Sequence, residues 1–166
     1  MNILFLHGLE SKLSDEKRAI LEAYGTVIAP DLDYKLNPDA IRNLHDEYKN
    51  QDINAIIGSS MGGFAGFHLA NSMGVCALLY NPALPYRNSV VQNIPSDLPK
   101  KQSPLMRIVL GGQDDVIKAK DNLAFLAQNF FKNTDYAIVI KNDLAHQIPV
   151  DVFEEETKAF FECLCF

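Results

Sequence analysis

Apolar residues fall along this chain in two rhythms: short unbroken runs, and longer stretches where they recur every three or four positions. The first is the pattern of a strand buried on both faces of a parallel sheet, the second that of a helix with one covered face. Strands are predicted over Asn2 to Leu6, Thr26 to Ala29, Ile53 to Ile57, Val75 to Tyr80, Leu105 to Leu110 and Tyr136 to Ile140. The first helix is predicted over 14–24, opened by Ser14 with Asp15 and Glu16 in its first turn and closed on Gly25 as a left-handed cap. The second enters through Asn37-Pro38, as cap and first helical position, and puts Ile41, Leu44, His45 and Tyr48 on one face. A third, apolar nearly all round, follows Ser60 and stops at Met73-Gly74. A fourth carries Ala119, Leu123, Leu126, Ala127 and Phe130 at helical spacing. Asp151 and Glu154 give a capping-box-like start to the last, whose inner face is Phe153, Phe160, Phe161 and Leu164.

Six strands alternating with helices, each crossover long enough for a parallel connection, predict an α/β fold: a doubly wound, mainly parallel six-stranded sheet with helices on both faces. Residues 81–104 interrupt the rhythm with five prolines and little periodicity, and are expected to be a short lid-like loop segment on one domain spanning 1–166. In such sheets the site lies beyond the carboxyl ends of the strands.

Composition narrows the partners. With 15 basic against 21 acidic residues, a net charge of −6 and no basic cluster longer than a pair, neither nucleic acid nor an anionic membrane is an expected partner. No apolar run reaches the length of a membrane span or a signal-peptide core, so a cytoplasmic location is expected. Three cysteines, Cys76, Cys163 and Cys165, have neither the even count of a disulfide framework nor a metal-ligand spacing, and no metal or cofactor is expected.

The chemistry gathers around Gly58-Ser59-Ser60-Met61-Gly62, a G-x-S-x-G sequence between a strand and a helix. That is the outline of a nucleophile elbow, where a tight turn lifts the serine clear of the backbone and its glycines admit a close strand–helix approach. Later strand ends supply Asp114-Asp115 and the loop of His146, giving the order Ser, Asp, His found in α/β hydrolases. Ser60 is the candidate nucleophile, and it needs a base oriented by a third group. His146 is favoured as base because it follows the last strand in a polar loop, with His7 open as an alternative. His45 and His68 lie on helices and read as structural. The acid is Asp114 or Asp115, and the spacing Gly-x-x-Asp before an apolar pair favours Asp114. The backbone N–H groups of Leu9 and Met61 are the candidate oxyanion hole. His7, Asn81 and Arg87 are candidates for substrate contacts, Arg87 being the fixed cation of the lid segment.

His7-Gly8-Leu9, Gly58-Ser59-Ser60-Met61-Gly62-Gly63, Asn81-Pro82-Ala83 and Ala145-His146 together resemble the small bacterial YqiA-like esterases, the UPF0227 group of the α/β-hydrolase superfamily. The resemblance implies a cofactor-independent hydrolase of carboxylic esters, with Ser60, Asp114 and His146 at the positions of its triad. The expected function is a serine hydrolase of a small ester or thioester. A catalytically silent hydrolase-like scaffold that binds a ligand or protein partner is the alternative, and the full Ser/Asp/His set argues against it.

Overall fold

Alternation of side chains along the strands decides which helix covers which face of the sheet. The computed structural model describes residues 1–86 and 90–164. Its strands are β1 (Asn2–Leu6), β2 (Thr26–Ile28), β3 (Ala55–Ser59), β4 (Cys76–Tyr80), β5 (Leu105–Gly111) and β6 (Asp135–Lys141). The helices are α1 (Asp15–Glu22), α2 (Ala40–Tyr48), α3 (Met61–Met73), α4 (Ala119–Asn129) and α5 (Val150–Leu164). Ile3 and Phe5 of β1, with Ala55 and Ile57 of β3, face Leu21 of α1 and Phe153, Phe160 and Phe161 of α5. Leu4, Leu6 and Ile56 point the other way, onto Ile41 and Leu44 of α2, Phe64 and Phe67 of α3 and, farther along, Leu126 of α4. The sheet is therefore doubly wound, as the apolar pattern predicts.

All five neighbouring strand pairs are parallel, in the order β2-β1-β3-β4-β5-β6. From β1 the chain steps outward to β2 and then back across to β3, so the strand order reverses between β1 and β3. A crevice opens at such a reversal, beyond the carboxyl ends of the two strands. His7-Gly8-Leu9 and Ser60 stand there, immediately after β1 and β3.

Helix α3 is the centre of the fold, with every residue buried except His68 and Met73, and Gly74 closes it at φ 72°. The glycines around its start answer a steric demand. A Cβ on Gly58 would stand 2.3 Å from the Gly62 carbonyl oxygen, and one on Gly62 would stand 2.0 Å from that of Leu6. Nothing larger than hydrogen lets β1, β3 and α3 approach this closely.

Three local expectations are corrected. Gly25 is not a left-handed cap, since α1 ends through Ala23 in ordinary helical geometry. Gly25 is small because a Cβ there would meet the Met1 carbonyl oxygen at 2.2 Å, where β2 joins β1. Asn37-Pro38 does not open α2; the helix starts at Ala40, and the Asn37 side chain accepts from the Asp39 N–H at 3.2 Å in the turn before it. Asp151 lies inside the first turn of α5 rather than capping it, and its carboxylate accepts from the Val152 N–H at 2.9 Å.

The described part of 81–104 is a strap. A short 3-10 turn at Leu84–Tyr86 begins it, with Ala83 and Leu84 buried in the core. The Gln92 side-chain amide donates to the carbonyls of Tyr34 (2.8 Å) and Asn37 (3.1 Å), Arg42 pairs with Asp97, and the Ser103 N–H donates to the Asn71 side chain at 3.1 Å. These ties fasten the segment to the start of α2 and the end of α3. No sequence pattern announces the buried carboxylate of Glu156, which takes Arg107 at 2.8 Å and Lys141 at 3.0 Å and anchors α5 to β5 and β6. Cys76 and Cys163 are free thiols, and Cys165 falls outside the described residues. Among the described residues no helix is long and apolar enough to cross a membrane.

Candidate active site

Ser60 occupies the turn between β3 and α3 with φ 54° and ψ −115°. A side-chain-bearing residue held in such a conformation costs about 1–3 kcal/mol, and strain of this kind collects at functional sites. Here the surroundings hold it in place. The Ser60 N–H donates to the Tyr80 carbonyl at 3.0 Å, and the Ser60 carbonyl accepts from the N–H groups of Phe64 (2.9 Å) and Ala83 (3.0 Å). With the backbone so pinned, the side chain faces a cavity of about 410 Å³. Among the described residues, Ser60 Oγ has no hydrogen-bond partner.

His146 lines the same cavity. Its Nδ1 lies 2.8 Å from Asp114 Oδ2, whose side chain is fully buried. A carboxylate can only accept, so Nδ1 carries a proton, and in the neutral ring Nε2 is then the nitrogen with the lone pair. Asp114 cannot turn away, because its Oδ1 accepts from the N–H groups of Val116 (2.9 Å) and Ile117 (2.8 Å). The buried carboxylate is thus satisfied on one oxygen by the backbone and on the other by imidazole. Asp115, the other carboxylate open from the sequence, is exposed and makes no contact with His146.

His7, expected as a substrate contact or alternative base, lines the cavity, but its ring nitrogens face backbone groups. Its Nδ1 donates to the Gly8 carbonyl at 2.6 Å, and its Nε2 accepts the Leu32 N–H at 2.8 Å. Both ring nitrogens are spent on backbone, so the imidazole braces the loop after β1 against the loop after β2. The Tyr34 hydroxyl donates to the His7 carbonyl at 3.1 Å and completes the brace, and its own burial pushes the phenol pKa up. This bracing holds Leu9 at the cavity wall beside Met61. Among the described residues neither the Leu9 nor the Met61 N–H donates to a protein acceptor. Met61 also opens α3, whose unpaired N–H groups and dipole favour negative charge at that end.

Asn81, expected as a substrate contact, is engaged by the backbone of neighbouring loops. It is 1% exposed, stands at φ 40°, and has its amide fully occupied behind the site. Oδ1 accepts from the Gly111 N–H at 2.7 Å, while Nδ2 donates to the carbonyls of Ala145 (2.9 Å) and His146 (3.2 Å). Asn81 therefore links the end of β4 to the loops that carry Asp114 and His146. Arg87 falls outside the described residues.

The rest of the lining divides by chemistry. Ala83, Val90, Val116 and Ile117 are apolar, whereas Ser11, Lys12, Lys17 and Gln147 are polar. Ala83 and Val90 belong to the lid-like segment expected to roof the site, whereas the others were overlooked, because helical spacing or a loop position gives no sign of which ones face a crevice. Among the described residues there is no group of three or more His, Cys, Asp or Glu side chains that could hold a metal ion.

Similar solved structures share this architecture at low sequence identity. SOBER1 from Arabidopsis thaliana superposes with a TM-score of 0.69 at 15% identity, over 97% of this chain and 99% of that one. A carboxylesterase of Bacillus cereus gives 0.66 at 16% identity, over 96% of this chain and 87% of that one. FphF, a fluorophosphonate-binding serine hydrolase of Staphylococcus aureus, gives 0.64 at 19%, over 98% and 82%. The fold is therefore that of the α/β hydrolases. No curated protein sequence matches the chain. The match over residues 2–103, from β1 through the serine turn to just before β5, is to the family described as uncharacterised protein family UPF0227, and the chain belongs to that family.

Proposed function

We propose that the protein is a serine hydrolase that cleaves a small carboxylic ester or thioester through an acyl-serine intermediate. The observation that carries this reading is the 2.8 Å contact from His146 Nδ1 to the backbone-locked Asp114, at a cavity also lined by the strained Ser60. An imidazole fixed in that tautomer offers Nε2 as a base, which is what a serine hydroxyl needs to become a nucleophile. In this reading the serine–imidazole hydrogen bond forms when substrate fills the site, since catalytic contacts in empty sites are often long.

In the proposed reaction Ser60 Oγ attacks the carbonyl carbon while His146 Nε2 takes the hydroxyl proton. The carbonyl electron pair moves onto oxygen, where the N–H groups of Leu9 and Met61 receive it. Collapse of the tetrahedral species breaks the bond to the alkoxide or thiolate, which leaves with the proton held by His146. Water then adds to the acyl-enzyme with His146 as base again, releasing the acid and regenerating Ser60.

The size of the site sets the test. Each acyl methylene that is buried gains about 0.8 kcal/mol, or about fourfold in kcat/KM, and one left in water gains nothing. A cavity of about 410 Å³ with the apolar wall Ala83, Val90, Val116 and Ile117 has room for a short chain only. On p-nitrophenyl esters kcat/KM is expected to peak between about two and six acyl carbons and to decline beyond. Values still climbing past ten carbons would move the reading to a long-chain hydrolase; no turnover of any ester would contradict it.

A further inference from the structure

In a chain with an acidic excess of six charges, the lining of the cavity holds two lysines, Lys12 and Lys17, and no carboxylate. The two lysines differ in kind. Lys12 is exposed and already paired, with Asp31 at 3.0 Å, a contact that also holds the Asp31 carboxyl below its usual range. Lys17 projects from α1, is half-buried, and has no carboxylate within ion-pair distance among the described residues. Among the described residues its ammonium makes one hydrogen bond, donating to the Ile148 carbonyl at 2.6 Å, and it stands 5.4 Å from the centre of the Phe153 ring. Those contacts tie it to the loop two residues beyond His146 and, among the described residues, leave two of its three N–H groups unspent. Burial lowers its pKa, with neighbouring Glu16 acting in the opposite sense. A cation partly stripped of water and without a counter-ion is unusual unless an anion arrives to meet it.

We infer that Lys17 is the anion-recognition residue of this cavity, and that the substrate is an ester carrying a carboxylate or phosphate group that pairs with it. The inference rests on the cavity being the hydrolytic site only in naming the ligand a substrate. The anion pocket itself can be tested without turnover. Its short apolar wall and the half-buried Lys17 suit a small ester with one charged end.

Binding is read first. Butyrate, propyl phosphate and butanol are titrated against the full-length protein and followed by backbone amide NMR shifts. At least one anion is expected to bind about tenfold more tightly than butanol, the difference expected of a charge-assisted hydrogen bond, with shifts at Lys17 and Ile148. The stronger anion tells carboxylate from phosphate. Lys17→Met is expected to remove the preference and Lys17→Arg to keep it, while raised salt weakens it. Butanol binding as tightly as both anions, or a preference that survives Lys17→Met, overturns the proposal. Turnover follows, comparing p-nitrophenyl butyrate with the mono-p-nitrophenyl ester of glutaric acid, and 2-phosphoethyl butyrate with ethyl butyrate. The anionic-to-neutral ratio of kcat/KM is expected to exceed ten for at least one pair and to fall to about one in Lys17→Met. A merely structural lysine would scale both esters of a pair equally, and that result overturns the substrate assignment. Absence of all turnover contradicts the hydrolase reading and leaves the binding result to stand or fall alone.

Discussion

Ser60→Ala is expected to lower kcat for ester hydrolysis by about 10⁶ and leave the fold intact. The chemical half of this expectation follows from removing the oxygen that the proposed reaction acylates. The structural half follows from the contacts of the residue. Ser60 is held by backbone bonds to Tyr80, Phe64 and Ala83, which alanine retains, and among the described residues its hydroxyl makes no hydrogen bond that could be lost. Alanine at φ 54° carries the same Cβ strain as serine, so no new backbone cost arises. Thermal unfolding should therefore shift by no more than a surface substitution does, within about 0.5 kcal/mol. Because nucleophile and base act as one unit, Ser60→Ala combined with His146→Ala should cost scarcely more than either alone. Additive losses in the double variant would mean that the two residues serve separate steps.

Asp114→Asn should lower kcat by about 10⁴, the loss seen when a serine-protease triad carboxylate becomes an amide. The contacts of Asp114 explain the size. The N–H groups of Val116 and Ile117 require an acceptor at the Oδ1 position, so asparagine must place its amide oxygen there. Its NH₂ group then faces His146 Nδ1, which has to become the acceptor. The ring proton moves to Nε2, and the atom facing the cavity can no longer take a proton from serine. Asp115→Asn touches an exposed carboxylate and should stay within a few-fold of the parent. Steady-state kinetics on a single short-chain ester separates the two, and the reverse ranking would place the acid one residue later.

What could be read from the sequence, and what could not, follows the physical origin of each signal. The sheet was legible because a strand buried on both faces has no polar positions, as in Ile3 to Leu6, and the helices between such runs leave only parallel crossovers. Gly58 was legible because its cause is local, the helix packed directly behind its strand excluding a Cβ, whereas the clash that keeps Gly62 bare comes from the distant backbone of β1. Asp114, like Gly58, was readable from a local cause, its side chain closing a turn on residues two and three ahead. Long-range direction was not readable. His7 and Asn81 stand at strand ends like the other site residues, yet their partners are backbone atoms of Leu32, Gly111 and Ala145, contributed by other loops. Gly25 gave a helix-cap signal for a different reason, the passage of the Met1 backbone. Lys17 lies on a charged helical stretch, and only the docking of α1 beside the loop of Ile148 brings it to the cavity. Glu156 was similarly hidden, its two cations lying on strands that precede it by many residues.

The central claim is that Ser60 is a nucleophile activated at this cavity, and covalent capture tests it most directly. A fluorophosphonate probe reacts with a serine only where a base and oxyanion donors stand ready to form the tetrahedral centre. Treated protein is digested and the adduct located by peptide mass. The account predicts a single adduct on Ser60, abolished in Ser60→Ala and strongly slowed in His146→Ala. An adduct on any other residue, or no adduct on an enzyme that hydrolyses esters, would contradict it.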